Sequence, residues 1–242
     1  MTLLLSRLEK TNPKMLFRFF IVGLAACAAF GPGQVQAQNP RVQIPFELHD
    51  KSLKLTEWAK QPMLLNPVAL SFDYQGRLFV VETARRGTVD IDIRAHKEWV
   101  IDDLSNQNIP QLRKMFRSKM APELSEQNKS WLKDRNQDGS HDWRDLMAVK
   151  ERIHLLQDTD DDGKADVAKV FAEGFNQEVN GVMAGVLPYR GDVFATIYPD
   201  VWKLNDRDHD GYADKQEVFI HGFGVHAAFD GHDLPGLTIG PD

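Results

Sequence analysis

The sequence predicts an all-β fold, and three observations lead to that prediction. A block of twenty residues occurs twice, at 156–175 and at 204–223, with eleven identical positions. Segments of alternating apolar and polar residues recur, with glycine-containing turns between them. The two blocks lie 48 positions apart, within the roughly 40–50 residues that one four-stranded blade occupies. Together these observations predict the first blades of a partial β-propeller, with a partly helical insertion and calcium-binding hairpin loops.

The composition is that of an ordinary soluble globular protein. The chain has 242 residues, of which 42% are hydrophobic and 26% charged, and its formal net charge is −6. Residues 1–37 carry a net charge of +3, so the remaining residues carry −9. An acidic chain without a basic cluster does not fit nucleic acid or an anionic membrane surface as a partner.

Residues 1–37 are predicted to be an export signal. Basic residues extend to Arg18, an apolar stretch covers 19–30, and the segment 35–37 is a small-x-small cleavage site. The apolar stretch is shorter than the roughly 20 residues of a spanning helix, so no transmembrane span is expected in the mature chain. The prediction is a periplasmic or secreted protein. The alternative is a lipoprotein anchored at Cys27, because Leu-Ala-Ala-Cys at 24–27 resembles a lipobox.

Strand signals begin after a polar lead-in at 38–60, and the predicted propeller covers residues 61–242. The first strand pair is 68–73 and 77–82, around a Tyr-Gln-Gly turn. The charged segment 95–150 interrupts the pattern and is predicted to be a partly helical insertion between the first two blades. Its apolar residues Leu112, Met115, Phe116 and Met120 have helical spacing. Further strands are predicted at 152–157, 167–171, 181–187, 192–196, 201–204 and 216–220.

A third strand pair is predicted to begin at 237–240. The chain stops at Pro241-Asp242, inside the turn that should follow. The sequence is therefore expected to be the N-terminal part of a longer protein, with its function incomplete in this chain.

Three loops share the spacing of calcium ligands. Calcium prefers six to eight oxygen ligands, and Asp side chains two positions apart converge on one ion where a glycine permits the turn. The competing interpretation is a solvated acidic turn, because Asp and Gly favour turns without any ion. The predicted ligands are Asp134, Asn136, Asp138 and Asp142 in loop one (134–142), Asp158, Asp160, Asp162 and Asp166 in loop two (158–166), and Asp206, Asp208, Asp210 and Asp214 in loop three (206–214).

Loop three also satisfies the EF-hand expression, with Glu217 at its twelfth position. An EF-hand is not predicted here, because Lys169 occupies the equivalent position of the other repeat. The flanking segments also alternate like strands rather than helices.

Three histidines, His221, His226 and His232, fall within twelve residues of a glycine-rich segment. Their spacing does not match a helical zinc site. His232 directly precedes a predicted inner strand of a blade, where a side chain can face a propeller's central channel. It is the candidate general base, because histidine can exchange a proton near neutral pH.

Two segments carry a resemblance to a known family. HDLPGLTIGPD at 232–242 and PVALSFDYQGRLFVVETARRG at 67–87 resemble soluble PQQ-dependent glucose/sorbosone dehydrogenase-like propellers. The acidic hairpins resemble an exported bacterial branch in which such a propeller precedes helical repeats and a haem-binding C-terminal domain. The resemblance covers about residues 61–242. It implies that His232 takes the substrate's hydroxyl proton as hydride passes to PQQ.

Two hypotheses about function follow. The first is an exported quinoprotein dehydrogenase, with calcium and PQQ as cofactors, that oxidises a sugar or a related alcohol or aldehyde and passes electrons to an acceptor. The second is a non-catalytic, calcium-stabilised propeller that serves as a binding or scaffold module. His232 favours the first hypothesis. The lack of a Lys/Arg cluster near it, which would receive the carboxylates of PQQ, favours the second.

Overall fold

The structure is a computed structural model that describes residues 2–8, 18–21, 49–50, 52–227 and 234–241. The chain divides into two compact units, 1–64 with 161–164 and 65–160 with 165–242. Antiparallel sheet dominates the described residues, which confirms the predicted all-β class. Among these residues no helix has both the length and the apolar character needed to cross a bilayer.

The first unit contains a three-stranded antiparallel sheet in the order β2-β1-β3. Its strands are β1 (Thr2–Leu8), β2 (Arg18–Ile21) and β3 (Leu53–Lys60). The sequence shows no clear period for β3, which lies in the predicted lead-in. The register between β1 and β3 shifts at this point, since Leu3 pairs with Ala59 and Leu4 pairs with Glu57. Trp58 is therefore an extra, bulged residue that interrupts the alternation along β3. The predicted export signal includes β1 and β2, and its processing stays a prediction.

The second unit contains two four-stranded sheets, each with its strands in chain order. The first sheet consists of β4 (Pro67–Phe72), β5 (Leu78–Glu82), β6 (Glu151–Gln157) and β7 (Val167–Gly174). The second consists of β8 (Met183–Tyr189), β9 (Asp192–Ile197), β10 (Asp200–Asn205) and β11 (Lys215–His221). All eight strands agree with the segments that the alternation predicts.

The two four-stranded sheets share one hydrophobic core. Phe79 of β5 and Phe171 of β7 meet edge to face, with ring centroids 4.9 Å apart. From the second sheet, Met183 and Ile197 are fully buried in the same cluster. Alternating side chains of both sheets therefore face each other, as the period of two along each strand requires.

The helical insertion lies within the first sheet, between β5 and β6. The sequence predicts it between two blades, and the register Leu78↔Leu156 to Glu82↔Arg152 corrects that placement, because β5 and β6 are direct neighbours. The repeat starts only at residue 156, near the end of β6, and therefore carries no information about the two strands that precede the insertion. The short helices of the insertion are α1 (Val100–Leu104), α2 (Ile109–Lys119) and α3 (Ser125–Asn128), with 3-10 turns at Ile93–Ala95, Lys97–Trp99, Pro122–Leu124 and Trp143–Met147.

Helix α2 confirms the helical spacing seen in the sequence. Asn108 caps its first turn by accepting a hydrogen bond from the backbone N–H of Gln111 at 3.0 Å. Leu112 and Phe116 are buried in a second core, to which the insertion contributes every member except Val179 and the partly buried Ala227. The insertion is thus a folded element with an apolar interior of its own.

Two buried residues, Arg85 and Glu151, lie at the two ends of the insertion, where it joins the first sheet. The five N–H groups of Arg85 donate to five backbone carbonyls, and the buried carboxylate of Glu151 accepts from the backbone N–H of Arg85 at 2.8 Å. Burial raises the pKa of Glu151, while these donors and the Arg85 charge oppose that effect. The carbonyls bound by Arg85 belong to Leu146, Val149, Gln177, Asn180 and Gly181, at 2.6–3.4 Å.

Residues 234–241 form no strand, although the sequence predicts one at 237–240. A strand requires a hydrogen-bonded neighbour, and no described strand pairs with this segment. The segment instead lies against the second sheet, as the geometry of the candidate site shows.

Candidate functional site

Loops two and three occupy the same place in the two four-stranded sheets. Loop two joins the third and fourth strands of the first sheet, β6 and β7, and loop three joins β10 and β11 of the second. The duplicated block of sequence is therefore the outer hairpin of each sheet. Because the flanking elements are strands, the rejection of an EF-hand at Glu217 is confirmed.

All three acidic loops share one backbone conformation. The fourth residue of each loop is left-handed, with φ of 61° at Gln137, 60° at Asp161 and 61° at His209. The glycine two positions later has φ of 85–90° in each loop. Glycine adopts this left-handed backbone conformation at a lower free energy than residues that carry a Cβ atom. This turn brings the first, third and fifth side chains to one side of the loop.

Loop three is more enclosed than loop two. The carboxylates of Asp206, Asp208 and Asp210 offer oxygen atoms that all lie within 4.8 Å of one another. Asp206 is only 9% exposed, and its Oδ2 accepts from the backbone N–H of Gly211 at 3.1 Å. Its Oδ1 is buried, and no hydrogen-bond donor among the described residues reaches it. The fourth predicted ligand, Asp214, accepts from the backbone N–H of Arg207 at 2.7 Å.

Loop three also contacts the first sheet. The backbone N–H of Ala213 donates to the carbonyl of Phe171 on β7 at 2.7 Å, and the side chain of Ala213 is part of the shared core. Lys169, also on β7, donates through Nζ to the carbonyl of Asp210 at 3.0 Å. The position of this loop is therefore fixed by both sheets.

Loop two has the same carboxylate arrangement in a more exposed setting. Asp158, Asp160 and Asp162 offer oxygens within 4.8 Å of one another, with Asp160 and Asp162 exposed. Asp166 accepts from the hydroxyl of Thr159 at 2.5 Å and from its backbone N–H at 3.1 Å. The hydrogen bond from this hydroxyl lowers the pKa of Asp166 and favours its charged form.

Loop one differs because an arginine lies among its acidic groups. Arg144 pairs with Asp142 at 2.6 Å and approaches Asp138 at 3.5 Å. The hydrogen bond from Arg144 lowers the pKa of Asp142 to about 2. Asp134 accepts from the backbone N–H of Gly139 at 3.0 Å, and Asn136 accepts from that of Asp138. A guanidinium thus supplies positive charge here, and an ion at loop one stays a prediction.

The histidines near the end of the chain have separate partners. Nδ1 of His221 lies 2.5 Å from Oδ1 of Asp200, its neighbour across β10 and β11. Nδ1 of His226 lies 2.9 Å from the carbonyl of Asp103, in the insertion. His232, the predicted catalytic base, lies outside the described residues.

The segment after position 233 is held against β8 and β9. The hydroxyl of Thr196 donates to the carbonyl of Leu234 at 2.8 Å. Gly185 on β8 approaches Gly236 so closely that a Cβ at position 185 would lie 2.6 Å from the Cα of Gly236. Only glycine fits at position 185 while this contact persists.

These features define a class of protein, an all-β protein whose sheets carry acidic hairpin loops. Residues 46–242 match the model of a family described as a domain of unknown function, DUF7133, and the chain belongs to that family. No curated protein and no solved structure matches the chain.

Proposed function

We propose that this protein is an exported, calcium-stabilised module of the β-propeller type, in which loops two and three each bind one calcium ion. The two four-stranded sheets would be its first two blades. Each has its strands in chain order, and both pack face to face through one core, as neighbouring blades do. The module would serve as a binding or scaffold element.

The observation that supports this proposal most strongly is the carboxylate of Asp206. Burying its Oδ1 without a donor or a counterion is costly, because this oxygen loses its hydration and gains no hydrogen bond among the described residues. A cation between Asp206, Asp208 and Asp210 would remove that cost. We therefore interpret Asp206 as a calcium ligand rather than as a hydrogen-bond acceptor of a solvated turn.

The donor set favours calcium over other ions. The converging ligands of loops two and three are carboxylate oxygens, and hard cations such as calcium and magnesium bind oxygen ligands. Magnesium requires a near-ideal octahedron and keeps most of its water, whereas calcium accepts irregular sites with more ligands. Extracellular modules with such sites have dissociation constants of about 10⁻⁴–10⁻³ M, which suits an exported protein.

Calcium is expected to raise the melting temperature of the purified protein after treatment with EGTA. A ligand that binds only the native state contributes about 2.7 kcal/mol per site when its concentration is 100 times its dissociation constant. Differential scanning calorimetry with calcium, and with equimolar magnesium as the control, measures the effect. Elemental analysis of protein that has been dialysed against excess calcium should find two calcium ions per chain above the level of the dialysis buffer. If calcium leaves the melting temperature unchanged and none is retained, the acidic loops are solvated turns.

A second candidate function is the PQQ-dependent dehydrogenase. It is supported by the contact between the segment 234–236 and the strands β8 and β9, because this contact anchors part of the segment 232–242, which resembles the catalytic segment of that family. When bound, PQQ would accept hydride from the substrate alcohol, and His232 would take the hydroxyl proton. Arg85 does not supply a cation for PQQ, because backbone carbonyls already engage its N–H groups.

Replacing His232 with glutamine tests this second candidate. In protein reconstituted with PQQ and calcium, the variant is expected to lose about 10²–10⁴-fold in kcat, because a positioned general base contributes that much. Its affinity for PQQ should change little, since glutamine preserves hydrogen bonding. Dye reduction with an aldose measures the first quantity and equilibrium dialysis the second. Wild-type protein that binds no PQQ would exclude the dehydrogenase and leave the calcium-stabilised module.

A further inference from the structure

The helical insertion contains a cavity that is separate from the acidic loops. Its volume is about 410 Å³, within the range of about 300–1,000 Å³ that is usual for small-molecule sites. One wall is apolar and includes Val89, Leu132 and Leu146, which also belong to the core of the insertion. A ligand with an apolar surface would therefore be desolvated on that side.

Aromatic rings form another wall of the cavity. Trp131 lines it and is 38% exposed, so part of its indole is accessible. His96 also lines it and stacks on Trp99 with ring centroids 3.9 Å apart, while the edge contact between His96 and Trp131 measures 4.5 Å. These three rings support one another, and the indole of Trp131 is held in place by its neighbours.

The charge of the cavity is negative. Asp90, Asp92 and Glu98 line it, and no lysine or arginine of the described residues does. Arg94, outside the lining, already pairs with Asp92 at 2.6 Å.

Glu98 is a lining carboxylate that a ligand can reach, because 68% of its side chain is exposed. It is paired with His96 at 3.7 Å. Burial lowers the pKa of His96, so this imidazole is neutral at pH 7 and does not balance the charge of Glu98.

We propose that this cavity binds a small quaternary ammonium cation, with the cation against the indole face of Trp131 and beside the carboxylate of Glu98. Cations are attracted to the negative face of an aromatic ring, most strongly to that of tryptophan. An anion would be repelled by the acidic wall. A primary ammonium is strongly hydrated and would lose water against Val89, Leu132 and Leu146, whereas a methylated ammonium presents apolar methyl groups to them.

Choline and its neutral isostere 3,3-dimethylbutan-1-ol test this proposal in the full chain. The two molecules differ only in the charged nitrogen, so a cation site binds choline and not the alcohol. Ethanolamine, the primary amine of the same length, is expected to bind at least about fivefold more weakly than choline, because cation–π attraction favours the less hydrated cation. Isothermal titration calorimetry measures all three, and tryptophan fluorescence provides a second readout.

Three variants locate the site. Trp131→Leu keeps apolar volume but removes the aromatic face, and is expected to weaken choline binding about tenfold, whereas Trp131→Phe retains most of it. Glu98→Gln is expected to weaken it about fivefold and to reduce its salt dependence. Tyr74→Leu is the matched control, because Tyr74 is 79% exposed in a turn of the first sheet, outside the lining, and should change nothing.

Two results would overturn the proposal. One is equal binding of choline and the neutral alcohol, which would make the cavity a site for uncharged ligands. The other is choline binding weaker than about 50 mM in the wild type, or unaffected by Trp131→Leu. Should Trp131→Leu fail to fold by circular dichroism, the Trp131→Phe and Glu98→Gln variants decide the question.

Discussion

Replacing Arg85 with methionine is expected to lower the free energy of unfolding by about 3–5 kcal/mol, because each buried acceptor that is left without its donor costs about 1–3 kcal/mol. Five backbone carbonyls would lose their donor, and Glu151 would lose its cationic neighbour. For a domain of this size, each kcal/mol corresponds to about 2–4 °C in melting temperature. Urea denaturation at fixed calcium concentration measures the change.

The neighbouring Arg86 provides the matched control. Arg86 is exposed, so Arg86→Met should change the free energy of unfolding by less than about 0.5 kcal/mol. The double variant Arg85→Met with Glu151→Gln should be less destabilised than the sum of the two single changes. The reason is that each single change leaves the other residue buried without its charged neighbour, whereas the double change leaves neither. Equal losses from Arg85→Met and Arg86→Met would show that the carbonyl contacts of Arg85 contribute little.

Replacing Asp206 with asparagine is expected to have opposite effects with and without calcium. In excess EGTA the variant should be at least as stable as the wild type, because the change removes a buried negative charge beside Asp208 and Asp210. In calcium at 100 times its dissociation constant, the variant should be less stable by about 2.7 kcal/mol, the contribution of one lost site. An ordinary structural acceptor would not produce this change of sign.

Thermal unfolding of both proteins in EGTA and in calcium measures the effect. Asp102→Asn in α1 is the control, because the side chain of Asp102 is 54% exposed, pairs with Lys119 and lies outside the three acidic loops. It should leave the stabilisation by calcium unchanged. If Asp206→Asn destabilises the protein by the same amount in both conditions, Asp206 is a turn acceptor and not a calcium ligand.

The outer hairpins could be predicted from sequence because their signals are local. The spacing of the Asp residues and of Gly163 and Gly211 fixes the turn within six residues, and the flanking alternation fixes the strands. The convergence of carboxylates at loops two and three follows directly from that spacing. The sequence could not distinguish loop one, because the role of Arg144 depends on the 3-10 turn that Asp142 caps.

The features that depend on distant residues could not be predicted. Arg85 binds carbonyls 61–96 positions further along the chain, and no local pattern marks such a partner. His96 and Trp131, which line the cavity in the insertion, also lie far apart in the sequence and meet only through tertiary packing. The sequence signal at Arg85 is only that a basic residue lies three positions after the end of an apolar strand.

The insertion between β5 and β6 has a consequence for the entropy of the unfolded chain. Two paired strands separated by 68 residues would ordinarily require the closure of a long flexible loop, and each doubling of such a loop costs about 0.6 kcal/mol. The carboxylate of Glu151 holds Thr83, Ala84 and Arg85 across the same separation, so these contacts form without a second closure cost once β5 and β6 have paired. Because the closure cost grows only slowly with loop length, an insertion of a different length should change the free energy of folding little.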